Sequence, residues 1–205
     1  MDNKLKIVEG MMRKRHSEYA LAPEWVATQE EVEEVLAGVL NLIPTHYNTQ
    51  PVRMVLLTGD AHKRHWKLIE QILIDRIGEE RYNKATRAKI EGSFASGVGT
   101  VVFFDDTTVT KKMMEDFPSY AHNFPRWAHQ VQGSHQYGVW LGLSALGFGA
   151  SLQHYIGMDD DKVREQLGVP HEWDFVAHMP FGKMLKRSPD LPKKPIDEVL
   201  KVIND

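Results

Sequence analysis

Three polar segments of the chain combine residue types that could hold an anionic ligand with a flat ring. The first is Arg13-Lys-Arg-His-Ser17, where cations and a hydroxyl come together at the predicted end of a short helix. Arginine binds phosphate through two parallel hydrogen bonds, and serine adds a hydroxyl donor. Cations also suit a solvated helix end, where they interact favourably with the helix dipole. Taken alone, the segment favours the solvated helix end over a phosphate clamp.

The second segment is Pro44-Thr-His-Tyr-Asn-Thr-Gln-Pro51, which places a hydroxyl, an imidazole and two carboxamides between a predicted helix and a predicted strand. Asn48 and Gln50 are two residues apart, so in extended backbone their side chains would face the same way. They could pair with the hydrogen-bonding edge of a heteroaromatic ring. Proline, asparagine and threonine are equally typical of a turn. The residues alone leave both interpretations open.

The third segment is Gly147-Phe-Gly-Ala-Ser-Leu-Gln-His-Tyr155, where small residues precede Gln153 and His154. Glycine and alanine let the backbone approach a planar ligand closely, because no larger side chain blocks it. The same pattern is typical of a helix C-terminus that leads into a strand. Both interpretations stay open here as well.

Several common catalytic motifs are missing from the sequence. Gly147-Phe-Gly149 lacks the third glycine of the dinucleotide fingerprint, no Walker loop is present, and Ser144 lacks the second glycine of a nucleophile elbow. His62 and His65 are three residues apart on a predicted helix, but no third metal ligand accompanies them. We therefore expect them to be solvated surface histidines, and we predict no metal site.

Hydrophobic periodicity predicts the elements that must position these segments. Thr28 and Glu31 have the spacing of a capping box at the start of one helix. Gly133, Gly138 and Gly142 lie inside the longest predicted helix, where they would allow close packing or the approach of a ligand. Helices are predicted at 5–13, 28–43, 66–77, 108–117, 126–146, 159–167 and 196–203, and strands at 52–58, 97–104 and 173–181.

Composition and length fit one domain over residues 1–205. The formal net charge is −3, which gives no general attraction to nucleic acid, and there is no cysteine for disulfides, thiolate metal sites or a thiol nucleophile. No segment approaches the roughly 20 apolar residues of a membrane span, and the N-terminus has no signal-peptide core. We expect a cytoplasmic protein of class α+β or α/β with a small central sheet.

Together the three polar segments resemble the signatures of the flavin-dependent nitroreductases. Lys14-Arg-His-Ser17 resembles the basic N-terminal signature of that family, and the 44–51 segment resembles its P-S-x-x-N-S-Q-P loop, with His46 where many members have serine. Leu141-Gly-Leu-Ser-Ala-Leu-Gly147 resembles the family's A-x-x-L-G-L-G helix. The order and spacing agree over essentially the whole chain.

Three further strings resemble a narrower branch, which takes its name from the yeast "fatty acid repression mutant" protein. They are Gly59-Asp-Ala-His-Lys-Arg-His-Trp66, Gly99-Thr-Val-Val-Phe-Phe-Asp105 and Gly149-Ala-Ser-Leu-Gln-His-Tyr155. The C-terminal phosphate-binding K-x-R of better-known members is matched here with Lys193-Lys-Pro195, a departure from the pattern.

The resemblance implies an α+β fold, in which helices flank a small, mostly antiparallel central sheet, and a homodimer with FMN at the subunit interface. The resemblance implies that the phosphate and ribityl chain are held by one subunit through Arg15, His16 and Ser17, with Lys193 and Lys194. The other subunit would contribute Pro44, Thr45, His46, Asn48 and Gln50. Gln153 and His154 would line the ring.

The resemblance also implies a two-step reaction. NADH or NADPH gives a hydride to FMN and leaves, and a nitroaromatic, quinone or similar oxidant is then reduced at the same face, so no side chain need be an essential acid or base. Tyr120, Phe124 and Trp127 would either form a lid over the flavin or pin a connection to the core. The alternative function is that of a flavin-binding regulatory protein in lipid or stress signalling with little turnover.

Overall fold

The computed structural model describes residues 3–204, in which helices cover both faces of one sheet. The elements in chain order are α1 (Asn3–Lys14), β1 (Ala20–Ala22), α2 (Gln29–Leu42), a 3₁₀ turn (His46–Asn48), β2 (Val52–Thr58), α3 (Gly59–Ile77), α4 (Glu79–Ala85), α5 (Arg87–Lys89), a π-helical turn (Ile90–Phe94), β3 (Gly99–Asp106), α6 (Thr107–Asp116), a 3₁₀ segment (Pro118–Asn123), α7 (Phe124–Leu146), β4 (Phe148–Ala150), α8 (Asp160–Leu167), β5 (Trp173–Lys186) and α9 (Ile196–Val199).

The five strands pair in the order β1-β5-β3-β2, and β4 pairs with β5 as well. All strand pairs within the described residues are antiparallel. The small antiparallel sheet flanked by helices is therefore confirmed. The periodicity missed β1 and β4, because a three-residue strand is too short to show an alternation.

Strand β3 lies at the centre of the core and is buried on both faces. Val101 and Phe103 pack toward α2 and α7, whereas Val102 and Phe104 pack toward α3 and the π-helical turn. Successive side chains of a strand point to opposite faces, so this continuous apolar run fills two hydrophobic clusters at once.

Glycines in α7 allow this helix to pack closely on α2. A Cβ at Gly138 would lie 2.5 Å from the Ile43 side chain, and a Cβ at Gly142 would overlap Val35. Close packing is thus the reason for these two glycines. Gly147 ends the helix with φ at +99°, as the C-terminal stop predicted for it requires.

The observed helices differ from the predicted ones in three places. Helix α3 begins at Gly59, seven residues before the predicted start, because the buried positions of its first turns are histidines and escape an apolar pattern. Residues 79–94, for which nothing was predicted, contain α4, α5 and the π-helical turn. Helix α9 spans only Ile196–Val199, because this exposed tail packs on too little of the chain to sustain a longer helix.

Candidate active site

Arg15 lies just after α1, where the chain turns toward the sheet. Its guanidinium stacks on Trp140 of α7, with the guanidinium carbon 4.3 Å from the ring centroid. Its Nε is buried without a hydrogen-bond partner, and no ion pair within residues 3–204 includes Arg15. A buried charged donor without an acceptor is costly, so this arrangement suits an anion from outside the chain.

The residues that follow Arg15 are fixed against β4 and α7. Ser17 forms an isolated parallel bridge with Ala150, and the Glu18 amide donates to the Ala150 carbonyl at 2.9 Å. Trp140 Nε1 donates to the carbonyl oxygens of His16 at 3.1 Å and Ala150 at 3.2 Å. The fold therefore brings the predicted phosphate residues next to the chain that leads into Gln153 and His154.

A second cation reaches the same place from the end of β5. Arg187 donates to the carbonyl oxygens of Arg13 at 3.0 Å and Lys14 at 3.4 Å. Its guanidinium also lies 3.9 Å from the carboxylate of Glu18, which is only 3% exposed and accepts from the Ser188 amide at 2.7 Å. Arg187 was not predicted as a site residue, although a basic pair directly after a long apolar strand was a signal for it.

The lysines predicted to help hold the phosphate lie further along the tail. Lys193 and Lys194 are exposed, and neither makes a hydrogen bond or ion pair within the described part of the chain. Asp190 pairs with His16 Nε2 at 2.7 Å, so the tail does pass the N-terminal segment. Within one chain Arg187, not the two lysines, is the tail cation beside Arg15–Ser17, and the roles of Lys193 and Lys194 stay predictions.

The 44–50 loop has an unusual backbone. Tyr47, Asn48 and Gln50 have φ values of 51°, 54° and 51°, in the left-handed region that residues other than glycine seldom adopt. Thr45 Oγ1 supports the loop by accepting a hydrogen bond from the backbone N–H of Gln50 at 3.1 Å. The backbone is therefore a tight turn rather than the extended stretch that would align Asn48 with Gln50. Strained backbone of this kind is found mainly at functional sites.

The three predicted substrate residues lie in different environments. Phe124 is 0% exposed and sits 5.1 Å from the Trp127 ring and 5.9 Å from the His46 ring. It therefore fits the role of pinning the connection to the core. Tyr120 is 52% exposed and Trp127 is partly buried, so both stay candidates for a substrate contact.

Trp127 also borders an open cleft of about 340 Å³. Its lining consists of His46, Tyr47, Trp127, Gln130, Val131 and Ser134. Partial burial lowers the pKa of His46, because burial disfavours the charged form of the imidazole. The cleft thus offers aromatic surface and a neutral imidazole.

The two predicted halves of the cofactor site are far apart within one chain. The 44–50 loop contacts α7 at Trp127, whereas Arg15 contacts the same helix at Trp140. These tryptophans are 13 residues apart in the sequence, which corresponds to about 20 Å along a helix. One copy of the chain does not bring Arg15 and the 44–50 loop together.

The segment Ser151–Tyr155, called the 151–155 segment below, runs beside β5. The Gln153 amide donates to the His178 carbonyl at 2.8 Å, and the His178 amide donates to the Gln153 carbonyl at 2.9 Å. The Gln153 side chain donates to Ser151 Oγ at 3.0 Å. The Gln153 carboxamide is therefore held by Ser151, whereas the His154 imidazole is exposed and makes no hydrogen bond within residues 3–204.

The expectation that His62 and His65 are solvated is wrong. They are 2% and 0% exposed and lie on the face of α3 that packs against the sheet. His62 Nδ1 pairs with Thr100 Oγ1 at 2.9 Å, and Trp66 Nε1 donates to the same oxygen at 2.9 Å. Fully paired polar groups can be buried at little cost, which sequence spacing alone does not reveal.

His65 of α3 contacts a third buried histidine, His178 of β5. The distance from His65 Nε2 to His178 Nδ1 is 2.8 Å, and His178 Nε2 lies 3.2 Å from the Tyr155 carbonyl oxygen. Burial lowers the pKa of His65 to about 3 and that of His178 well below its usual value. Both rings are therefore neutral. His62, His65 and His178 are called the histidine core below.

Within residues 3–204, no three side chains of histidine, aspartate or glutamate are grouped closely enough to hold a metal ion. No helix in that range has the length and apolar character needed to cross a bilayer.

Comparison with known proteins supports the resemblance seen in the sequence. The family model described as "Nitroreductase family" matches residues 12–183. The Saccharomyces cerevisiae "Putative nitroreductase HBN1" is 34% identical over 170 residues, which cover 82% of this chain and 83% of that protein. The "nitroreductase FRM2" of the same yeast is 32% identical over 172 residues, with the same shares covered.

A solved structure agrees over almost the whole chain. Nitroreductase CinD from Lactococcus lactis in complex with nicotinic acid superposes with a TM-score of 0.87 at 31% identity, covering 96% of this chain and 100% of that chain. Its complexes with chloramphenicol and 4-nitrophenol give TM-scores of 0.88 and 0.84 at 30% identity, with the same coverage.

Proposed function

Since this chain belongs to the nitroreductase family, in the branch of the yeast relatives HBN1 and FRM2, we propose that it is an FMN-dependent NAD(P)H oxidoreductase. Its oxidising substrates are nitroaromatics, quinones or similar compounds. Family membership supports the oxidoreductase activity itself. The cofactor, the coenzyme and the substrate class are the proposal.

The unpaired guanidinium of Arg15 is the observation that carries this proposal. Its buried Nε requires an acceptor, and the phosphate of FMN is one. The Ser17 hydroxyl makes no hydrogen bond within residues 3–204, so it is free to donate to the same group. Arg187 supports this segment from the end of β5 by donating to the carbonyl oxygens of Arg13 and Lys14. The donors around Arg15 therefore fit a phosphate monoester.

FMN, once bound, supplies a ring that takes up and gives away hydride. The chain's own residues bind and orient that ring. Gln153 offers an amide group beside the N-terminal segment, and its backbone is held by β5. His154 is exposed and can contact a ring edge or a substrate. Neither has to transfer a proton for hydride transfer to occur.

The complete site is proposed to need a second copy of the chain. Arg15 and the 44–50 loop contact parts of α7 that are about 20 Å apart. This separation supports a site in which Arg15 comes from one subunit and the 44–50 loop from the other. Unpartnered apolar side chains on α1 and on the tail support a dimer that covers them. They are Leu5, Ile7, Val8, Met11, Met12, Leu191, Ile196, Val199, Leu200, Val202 and Ile203.

The proposed oxidants are small aromatic molecules. CinD forms complexes with nicotinic acid, chloramphenicol and 4-nitrophenol, and we propose that this chain accepts ligands of the same flat aromatic kind. Tyr120 and Trp127, together with the cleft beside His46, supply aromatic surface for them. Aromatic rings gain stacking energy on such surfaces.

The test begins with the visible spectrum of the purified protein. We expect a yellow protein that releases FMN, not FAD, on denaturation, and that oxidises NADH or NADPH faster when 4-nitrophenol or a quinone is added. A colourless preparation that FMN does not reconstitute would overturn the proposal. Tight FMN binding without oxidant-dependent turnover would favour the regulatory flavoprotein instead.

A further inference from the structure

One buried histidine, His178, holds the 151–155 segment through both its backbone and its side chain. The backbone of His178 in β5 pairs with Gln153 through two hydrogen bonds of 2.8 and 2.9 Å. The side chain of the same residue reaches the carbonyl oxygen of Tyr155 at 3.2 Å. His154 therefore lies between two residues that are both tied to His178.

The hydrogen-bond partners fix the protonation of both rings. A carbonyl oxygen only accepts, so His178 Nε2 must carry the proton that is donated to Tyr155. His178 Nδ1 is then an acceptor, and His65 Nε2 donates to it at 2.8 Å. This leaves His65 Nδ1 as a buried acceptor without a partner. Both rings are neutral, and both hydrogen bonds point the same way: His65 donates to His178, and His178 donates to Tyr155.

The surroundings of His178 are aromatic rather than polar. Its ring packs 4.6 Å from that of Phe175, 5.2 Å from that of Trp66 and 4.9 Å from that of His65, measured between centroids. An apolar side chain would fill such a space, but it would leave the Tyr155 carbonyl unpaired. A donor at this position thus has a use beyond filling the core.

We propose that His178, oriented by His65, is a positioning residue for the oxidoreductase reaction. It fixes the 151–155 segment so that Gln153 and His154 face the flavin ring and the aromatic substrate. This inference rests on the proposed function. Through His178 of β5 and His65 of α3, two fully buried side chains therefore affect substrate turnover.

The test compares two substitutions that each preserve one nitrogen of the imidazole. In His178→Gln the longer amide places its nitrogen near the position of Nε2, so donation to Tyr155 is kept. In His178→Asn the shorter amide reaches only the Nδ1 position, so the acceptor for His65 is kept and donation to Tyr155 is lost.

We expect His178→Asn to reduce kcat/KM for 4-nitrophenol by about 10- to 100-fold, the scale of a misplaced contact group. The loss should lie mainly in KM for the oxidant, with a smaller loss of FMN affinity. His178→Gln should stay within about threefold of the wild type, a change below 1 kcal/mol. Hydrogen exchange of the peptide that contains Gln153 and Tyr155 should accelerate in the Asn variant alone, with or without FMN.

Equal kinetics and equal exchange in the Gln and Asn variants would overturn the inference, and so would a loss of stability without either change. If His178→Asn does not fold, His65→Met and His65→Gln provide the same comparison, because only glutamine keeps a donor for His178. The exchange measurement needs no FMN. A wild-type protein without flavin or turnover would therefore refute the proposed function separately, while the exchange result still tests the tether.

Discussion

Two sets of histidines in this molecule differ in how their nitrogens are used. In the histidine core, His62, His65 and His178 are buried and bonded to partners within the chain. The rim histidines, defined as His16, His46 and His154, lie on the segments assigned to the cofactor and are partly or fully exposed.

The difference separates polar groups that stabilise the fold from those that we propose to contact the cofactor. Five of the six ring nitrogens in the core have partners, so the core ties α3 to the sheet. Around the rim, the Arg15 Nε and the His46 Nδ1 are buried and unpaired. Changes in the core should therefore alter stability, with an added effect on turnover at His178, whereas changes at the rim should alter binding.

Acidification should produce the largest effect, and it should act through the core. The unfolded chain protonates its histidines below about pH 6.5, whereas His65 in the folded chain stays neutral until about pH 3 and the pKa of His178 is also strongly lowered. Below pH 6.5 the unfolded state therefore binds more protons, and stability falls with the pH. We expect His65 alone to cost about 2 kcal/mol between pH 6.5 and 5, and His178 to add to that loss.

Urea unfolding at pH 7.5, 6.5, 5.5 and 5.0, at fixed protein and FMN concentrations, measures this loss. In His178→Gln the loss of stability per pH unit below pH 6.5 should be smaller, because one buried imidazole that resists protonation is gone. A slope that does not change would mean that His178 does not resist protonation.

Thr100→Val should give the next largest effect. The Thr100 hydroxyl bonds to His62 and accepts from Trp66, so valine leaves two buried groups unpaired. We expect the free energy of unfolding to fall by about 2–3 kcal/mol, with FMN affinity unchanged. Denaturant titration and flavin fluorescence measure the two quantities.

Thr110→Val is the matched control for this change. The Thr110 hydroxyl is also buried, but it has no hydrogen-bond partner among residues 3–204. Its removal should be neutral or stabilising, because no partner is left unsatisfied. Similar losses at both threonines would show that valine disturbs packing rather than hydrogen bonding.

Arg15→Ala should reverse the pattern, with a large change in binding and a small one in stability. Loss of a charged hydrogen bond to phosphate is worth about 1.5–3 kcal/mol, so the Kd for FMN should rise about 10-fold or more. Loss of the contact with Trp140 should cost the FMN-free protein only about 1 kcal/mol. Equilibrium dialysis and thermal unfolding give the two values.

Arg13→Ala serves as the control for Arg15. Its guanidinium pairs with Glu9 on the exposed face of α1, and such pairs contribute little. We expect FMN affinity to fall much less than in Arg15→Ala. Equal losses in the two variants would mean that the phosphate residues are displaced by two positions from those assigned.

His154→Ala should have the smallest effect. The side chain is exposed, so stability should change by less than about 0.5 kcal/mol. We expect altered affinity for the oxidant but a change below about threefold in the reduction of bound FMN by NAD(P)H, followed by stopped flow. A decrease of about 100-fold in that half-reaction would identify His154 as a general acid–base group.

Local patterns in the sequence predicted much of this protein. The capping box at Thr28 and Glu31, the apolar run of β3 and the glycine after α7 all act on immediate neighbours, and the structure has each of them where expected. Motif order was also sufficient to identify the family. These features depend on interactions over a few residues, which a linear pattern records.

The tertiary structure decided the rest. His62 and His65 were expected in solvent, yet they are buried and hydrogen-bonded to partners 38 and 113 residues away. Arg187 lies beside Arg13 only because β5 returns along β1. The long α7 keeps Arg15 and the 44–50 loop apart in one chain. Hydrogen bonds between distant segments set these positions, and such bonds leave no periodic trace in the sequence.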